Sequence, residues 1–237
     1  MSRTSFRFKQ FIIHQDKCAM KVGTDGVLLG AWTDLPNSGQ VLDVGCGTGL
    51  ISLMFAQRNP TLKIDAIEID EKAANQAFEN VSISPWRENI RIINDDFFKF
   101  DFGNQKYNLI VSNPPFYPKG HKSASLSRDI SRNDEFFSLN DFFIKVVTIL
   151  NDNADLAIIF PYYRKDEVEG LAKKHGLYFK KVCFVKPIPN KEYHRILMQL
   201  STKPCDARFS ELVIEQGGRY KYSQEYISLT KDFYLNM

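Results

Sequence analysis

The chain has 237 residues, 43% of them hydrophobic and 25% charged, which is the composition of a soluble globular fold with a full core. No run of about 18 apolar residues occurs, so no helical membrane span is expected. The net charge of +3 neither demands nor excludes a nucleic-acid partner, so the distribution of charge has to decide.

The N-terminus reads MSRTSFRFKQF and lacks the apolar stretch of a signal peptide. Cys18, Cys46, Cys183 and Cys205 form no C-x-x-C pair and have no spaced His partners. Neither a structural zinc site nor a disulfide framework is therefore expected, and the compartment implied is the cytoplasm. The 19 phenylalanines are read as core filling. Residues 1–35 are too few to build a core of their own. They read as an appendage to a single domain spanning 1–237, whose core is 36–237.

Residues 41–44 are a short buried strand that runs into Gly45-Cys46-Gly47-Thr48-Gly49. An apolar helix over 50–57 follows and is stopped by Asn59-Pro60. Residues 62–67 form a second strand. Asp70 then caps a helix with Ala74, Ala77, Phe78 and Val81 on its apolar face. Strands at 90–93 and 107–112 come next, and Asn113-Pro114-Pro115-Phe116 ends the latter. A helix over 139–150 leads to a strand at 156–160. Two longer strands at 178–185 and 193–201 read as an antiparallel hairpin. Alternation of this kind predicts an α/β, doubly wound, mostly parallel sheet. Ligands of such sheets bind beyond the carboxyl ends of the strands, where strand order reverses. The turns at 45–49 and 113–116 both follow strands and so share that edge.

Glycines in a strand-to-helix turn permit positive φ and close approach of a ligand to the backbone. A G-x-G-x-G turn without a ligand is simply a tight connection, and dehydrogenases use a related pattern. Here Asp43 precedes Gly45 by two residues. A carboxylate there suits the amino-acid ammonium of S-adenosylmethionine (SAM) and would repel a pyrophosphate. Glu68, 19 residues after Gly49, stands where an acid accepts from ribose hydroxyls, with Asp70 the competing candidate. After the third strand, Asp95 or Asp96 can accept from the adenine amino group of SAM, and Phe97 can cover its ring.

The tetrapeptide at 113–116 carries the chemistry. An amine conjugated to an aromatic ring is a poor nucleophile, because its lone pair is delocalised. The Asn113 Oδ1 and the Pro114 carbonyl offer acceptors for its two hydrogens. Pro114 and Pro115 fix the backbone, and Phe116 offers a stacking face. No strong base is required, so catalysis is positioning plus electrostatic support. Read alone, the same residues are a Pro-rich turn.

These motifs resemble the class I methyltransferase superfamily, and the N-P-P-F signature its amino-methylating branch. The segment from Phe8-Lys9-Gln10-Phe11 and His14 through Cys18 to Trp32 resembles the N-terminus of bacterial tRNA(Val) adenine-N6-methyltransferases. Ser84-Pro85-Trp86, Tyr222-Ser223-Gln224-Glu225-Tyr226 and the final residues resemble that family too. The resemblance implies a Rossmann-like fold with a seven-stranded sheet and methylation of the adenine 3′ of the anticodon. It further implies that residues 21–25, among them Lys21, Gly23 and Thr24, cover the methionine end of SAM. Gly45, Gly47 and Gly49 would then make the backbone contacts. The family often has Ala or Ser where this chain has Cys46 and Thr48.

Residues 117–132 hold Lys119, Lys122, Arg128 and Arg132 against one acid, Asp129, and are candidates for phosphate contacts beside the catalytic turn. Residues 161–200 carry nine Lys/Arg and four Asp/Glu, a candidate positive face. Each lysine taken singly is ordinary solvated surface. A protein glutamine-N5-methyltransferase also uses such a tetrapeptide, usually with a longer N-terminal domain and Tyr at the fourth position. A DNA adenine methyltransferase would need a target-recognition domain, for which no sequence remains. An inert SAM- or RNA-binding module is the non-enzyme reading.

Overall fold

The computed structural model describes residues 4–114 and 138–237. A two-stranded antiparallel hairpin, β1 (Ser5–Arg7) and β2 (Ile12–His14), precedes helix α1 (Thr24–Trp32). Then follow β3 (Gln40–Val44), α2 (Leu50–Arg58), β4 (Lys63–Glu68), α3 (Glu71–Ser82), β5 (Ile90–Asn94) and β6 (Tyr107–Ser112). The chain continues through α4 (Leu139–Ile149), β7 (Leu150–Pro161), α5 (Lys165–Lys174), β8 (Tyr178–Lys186), β9 (Arg195–Ser201), β10 (Arg208–Val213) and α6 (Gln224–Thr230).

Among the described residues the main sheet has eight strands in the order β10-β8-β9-β7-β6-β3-β4-β5. All neighbours are parallel except β9, which runs against both β7 and β8. Strand order therefore reverses between β3 and β6, the place where a doubly wound sheet opens a crevice. Successive strand residues face opposite sides. Leu109 and Val111 belong to the hydrophobic cluster that also holds residues of α1, α2 and α3. Ile110, between them, belongs to the cluster that holds residues of α4 and α5. Both faces are covered, so the strands read as near-continuous apolar runs.

Three expectations need revising. The sheet has an eighth strand, β10, which pairs parallel with β8 and supplies the outer edge. Only Leu212 of β10 is fully buried, so it carries no alternating apolar pattern. Phe78 lies 62% exposed rather than on the apolar face of α3. The buried stripe of α3 is Ala73, Ala74, Gln76, Ala77, Asn80 and Val81, two of whose members are amides. Finally, the described part of the N-terminal stretch, residues 4–35, packs into the core. Phe8, Phe11, Ile13 and the apolar residues of α1 share one cluster with α2 and with Tyr226 and Phe233 near the C-terminus. The two glycines of α1 hid it as a helix, since glycine disfavours helix interiors by about 1 kcal/mol. Packing overrides that cost. A Cβ on Gly26 would stand 3.1 Å from Leu50 Cδ2, and one on Gly30 2.6 Å from Met54 Sδ. The two glycines let α1 lie directly on α2.

Candidate active site

The register of the sheet builds the site. In the β3–β6 pair Val44 is level with Ser112, and in the β3–β4 pair it is level with Ile67. Glu68 is level with Asn94. Gly45, Glu68, Asp95 and Asn113 therefore all emerge at one edge of the sheet. The Ser112 hydroxyl donates to the Val44 carbonyl (2.9 Å, buried), which pins the start of the 113–114 turn beside Gly45. Asn94 Nδ2 donates to the Glu68 carbonyl (2.9 Å), tying β4 to β5 in the same way.

The glycine turn takes left-handed backbone at Gly45 (φ 71°), Gly47 (φ 55°) and Gly49 (φ 78°). The three glycines share that backbone but differ in what surrounds them. A Cβ on Gly45 or Gly47 would meet nothing within 4 Å, so those two border open space. A Cβ on Gly49 would meet Ala77 at 3.5 Å, an ordinary contact, so its left-handed backbone rather than any lack of space calls for glycine. The turn is held from both ends. The Gly45 and Cys46 N–H groups donate to the Ile67 carbonyl. The Gly47 N–H donates to Glu68 Oε2 (2.9 Å), while Glu68 Oε1 accepts from the Asp70 N–H (3.0 Å). Asp70 spends its own side chain capping α3, through the Ala73 N–H. Burial pushes the Glu68 carboxyl above its ordinary range, against the pull of these backbone donors.

Asp43 is completely buried. Its Oδ2 accepts from the Ser52 N–H (3.2 Å) and hydroxyl (2.7 Å). Its Oδ1 has no partner among the described residues. Burial raises its carboxyl to about 7, a shift that the two Ser52 donors only partly oppose. A buried carboxyl oxygen without a partner is costly. Together with the open cradle at Gly45 and Gly47, it fits a ligand bearing an ammonium.

The N-terminal end of α1 reaches this site through the glycine contact with Leu50, the first residue of α2. Gly23 and Thr24, both exposed, sit one turn before that contact, and exposed Lys21 just precedes them. Three amides place this segment. Asn80 Oδ1 accepts from the His14 N–H (2.8 Å), and Asn80 Nδ2 donates to the carbonyls of His14 (2.9 Å) and Thr48 (3.0 Å). Gln76 accepts from the Lys17 N–H (3.0 Å), and Gln15 from the Val22 N–H (2.8 Å). Asn80 thus joins the segment directly to the glycine turn. The sequence reading did not find Ser52, Asn80, Gln76 or Gln15. Polar residues embedded in the apolar runs Leu50-Ile51-Ser52-Leu53 and Asn80-Val81 were the available signal.

Asp96 is half-buried and receives the Phe98 N–H (2.9 Å) and the Lys99 ammonium (3.2 Å), whereas Asp95 is exposed. Phe97 is buried among Phe98, Phe102 and Phe142, at centroid distances of 5.4–5.9 Å. Asn113 is half-buried and Pro114 buried. Pro115, Phe116, Lys119, Lys122, Arg128 and Arg132 lie outside the described residues.

The candidate positive face at 161–200 is largely neutralised by ion pairs. Lys180 pairs with Asp155 (2.6 Å), Lys181 with Asp34 (2.8 Å), Lys186 with Glu211 (3.3 Å) and Arg195 with Asp25 (2.8 Å). Arg164 and Lys165 pair with Glu167 and Glu169 within their own segment. Among the described residues no group of three or more His, Cys, Asp or Glu could hold a metal ion. Nor is any helix there long and apolar enough to cross a membrane. All four cysteines are free.

The methyltransferase small domain model matches residues 21–135. A tRNA1(Val) (adenine(37)-N6)-methyltransferase of Trichodesmium erythraeum is 44% identical over 238 residues, 99% of each chain. One of Bacteroides fragilis is 40% identical over the full length of both chains. Among solved structures, a predicted O-methyltransferase of Agrobacterium tumefaciens superposes with a TM-score of 0.67 at 15% identity. That match covers 88% of this chain and 96% of the other, and at such identity it speaks to the fold alone.

Proposed function

The chain belongs to the tRNA1(Val) (adenine(37)-N6)-methyltransferase family, and on that premise we propose which residues perform the family's reaction. Its activity is methylation of the N6 amino group of an adenine in tRNA. The target we propose is the adenine next to the anticodon of tRNA(Val), and the compartment is the cytoplasm, where tRNA is found. SAM is the methyl donor, and when bound it supplies an electrophilic methyl group on a sulfonium.

The chain's own groups have distinct tasks. Asp43 Oδ1 offers the acceptor for the donor's ammonium. Gly45 and Gly47 leave their backbone bare to it, flanked by Lys21, Gly23 and Thr24. Glu68 keeps a lone pair on each oxygen beyond those used by Gly47 and Asp70, and with these it takes the ribose hydroxyls. Asp96, with Phe97 behind it in the core, closes the adenine end. Asn113 Oδ1 and the Pro114 carbonyl accept the two hydrogens of the target amine and draw its nitrogen towards sp³ geometry. Pro115 fixes that carbonyl and Phe116 stacks on the base. Lys119, Lys122, Arg128 and Arg132 contact phosphates around it.

The observation that carries this reading is the β3–β6 register, locked by the Ser112–Val44 hydrogen bond, which sets Asn113 against the glycine turn. The test is single-turnover transfer of labelled methyl from SAM to tRNA, with product nucleosides resolved by mass spectrometry. Wild type should form N6-methyladenosine. Asn113→Ala should bind SAM and tRNA yet turn over about 10²–10³ more slowly, the usual loss of one preorganised polar group. Near-normal N6-methyladenosine formation by that variant would remove the turn from the mechanism.

A further inference from the structure

The same edge of the sheet carries an aromatic cluster that the reaction above does not use. Tyr162 follows β7 directly, Tyr193 lies two residues before β9, and Phe184 lies near the end of β8. Their rings form a triangle, with centroid separations of 5.1 Å for Tyr162–Tyr193, 5.3 Å for Phe184–Tyr193 and 6.1 Å for Tyr162–Phe184. Each of the three residues is only half-buried. The Lys186 ammonium stands 4.7 Å from the Tyr193 ring centroid, and the Tyr193 hydroxyl donates to Glu211. Phe209 shares the Glu211 face of β10, two residues away. It is 66% exposed, as is Tyr163 next to Tyr162. Lys191 stands exposed in the loop that joins β8 to β9.

Tyr162 and Phe184 pack against the core cluster that holds residues of α4 and α5, yet neither they nor Tyr193 is fully covered. The chemistry of the triangle favours bases over a protein partner. The surround is aromatic and its charges are balanced, with Lys186 paired to Glu211 and Lys191 next to Glu192, and Ile188 is the one exposed large aliphatic residue of the β8–β9 loop. Its position agrees. From β6, which Asn113 follows directly, the sheet steps through β7 and β9 to β8. Adjacent strands lie about 4.8 Å apart, so the platform stands roughly 10–15 Å from the reacting amine. Stacked nucleotides spaced at about 3.4 Å cover that distance in roughly four steps.

We propose that Tyr162, Phe184 and Tyr193, extended by Phe209, are a stacking platform for unpaired nucleotides flanking the target adenine. Single-stranded bases stack on aromatic side chains whatever their sequence, and the exposed Lys191 adds a phosphate contact. The inference rests on the reading that the chain methylates tRNA, and the test separates the two.

Binding of SAM and of a tRNA(Val) transcript is measured for wild type, Tyr193→Ala, Tyr193→Phe and Phe209→Ala, with salt varied. Tyr193→Ala is expected to bind tRNA roughly five- to a hundredfold more weakly, with SAM affinity unchanged. Tyr193→Phe keeps the ring and stays within about twofold of wild type. The slope of log affinity against log salt stays as in wild type, because no phosphate contact is lost with the ring. Phe209→Ala, at an exposed position, gives the same direction of effect with no risk to the fold. Wild-type tRNA affinity in both Ala variants would overturn the platform and leave the face to a protein partner. A wild-type chain that neither binds nor methylates tRNA would instead overturn the functional reading beneath it.

Discussion

Gly47 offers a clean separation between a glycine needed by the backbone and one needed by a ligand. Gly103 is its natural control. Both have φ of 55°, and a Cβ on either would meet nothing within 4 Å. Both donate their N–H to a carboxylate, Glu68 at 2.9 Å and Asp101 at 2.8 Å. They differ in place, because Gly103 precedes β6 and so lies at the sheet edge opposite the site. Alanine in left-handed backbone costs about 1–2 kcal/mol. Reduced freedom of the unfolded chain returns about 0.4–1 kcal/mol. Gly47→Ala and Gly103→Ala should therefore each lose about 1 kcal/mol, seen as a Tm lower by roughly 2–4 °C. Calorimetry with SAM should then part them. Gly103→Ala keeps wild-type affinity, whereas Gly47→Ala loses at least about tenfold, or about 1.4 kcal/mol, because its methyl group enters the space the donor fills. Equal SAM affinities in the two variants, with wild type binding normally, would show that the open space at Gly47 is not the cofactor cradle.

Acidification should weaken SAM binding as pH falls through about 7, where neutral Asp43 can no longer hold an ammonium, and Asp43→Asn should flatten that profile. The sign for stability is opposite. The raised folded pKa favours the neutral carboxyl, so Asp43 contributes most to the ligand-free fold below the unfolded carboxylate pKa of about 4. That contribution is lost as pH rises to about 7, and thermal melts of the ligand-free protein check it. Asn80→Ala removes the partner of three backbone groups, two half-buried on His14 and one buried on Thr48, and should cost about 1–3 kcal/mol in chemical denaturation. SAM affinity should drop with it, while Asn75→Ala nearby on the same helix should change neither. Replacing Lys119, Lys122, Arg128 and Arg132 together by Ala should reduce the salt dependence of tRNA affinity by up to about 0.9 per lost phosphate contact, leaving SAM calorimetry unchanged.

Much of the fold was legible because doubly wound sheets announce themselves locally. Buried parallel strands are apolar runs, and each strand-to-helix turn carries its own punctuation. The 45–49 turn and the end of β6 at Ser112 were placed by that logic alone. What escaped lay where pattern and packing disagree. Helix α1 carries two glycines that only its contact with α2 explains, and β10 is an edge strand with a single fully buried residue. Helical periodicity puts Phe78 inside only if α3 buries apolar residues alone. Its stripe instead buries Gln76 and Asn80, which bond backbone groups of Lys17 and His14, more than 50 residues away in sequence.

The candidate site shows the same division more sharply. Asp43 and Glu68 stood out as acids at strand ends, a property of spacing. What makes them a site is non-local: burial that leaves Asp43 Oδ1 without a partner, and a Glu68 carboxylate that braces the glycine turn while bordering the cradle. The basic stretch at 161–200 failed in the opposite direction. Its composition signalled a positive face, yet six of its nine cations meet carboxylates, two of them on Asp25 and Asp34, more than 140 residues earlier. Charge counted along a chain is thus a poor guide to field at a surface, because folding pairs charges that sequence keeps apart. The rings of Tyr162, Phe184 and Tyr193 cannot be cancelled in that way. Stacking capacity survives wherever a ring face remains open, and so the tyrosines of this stretch are a better guide to where RNA lies than its lysines.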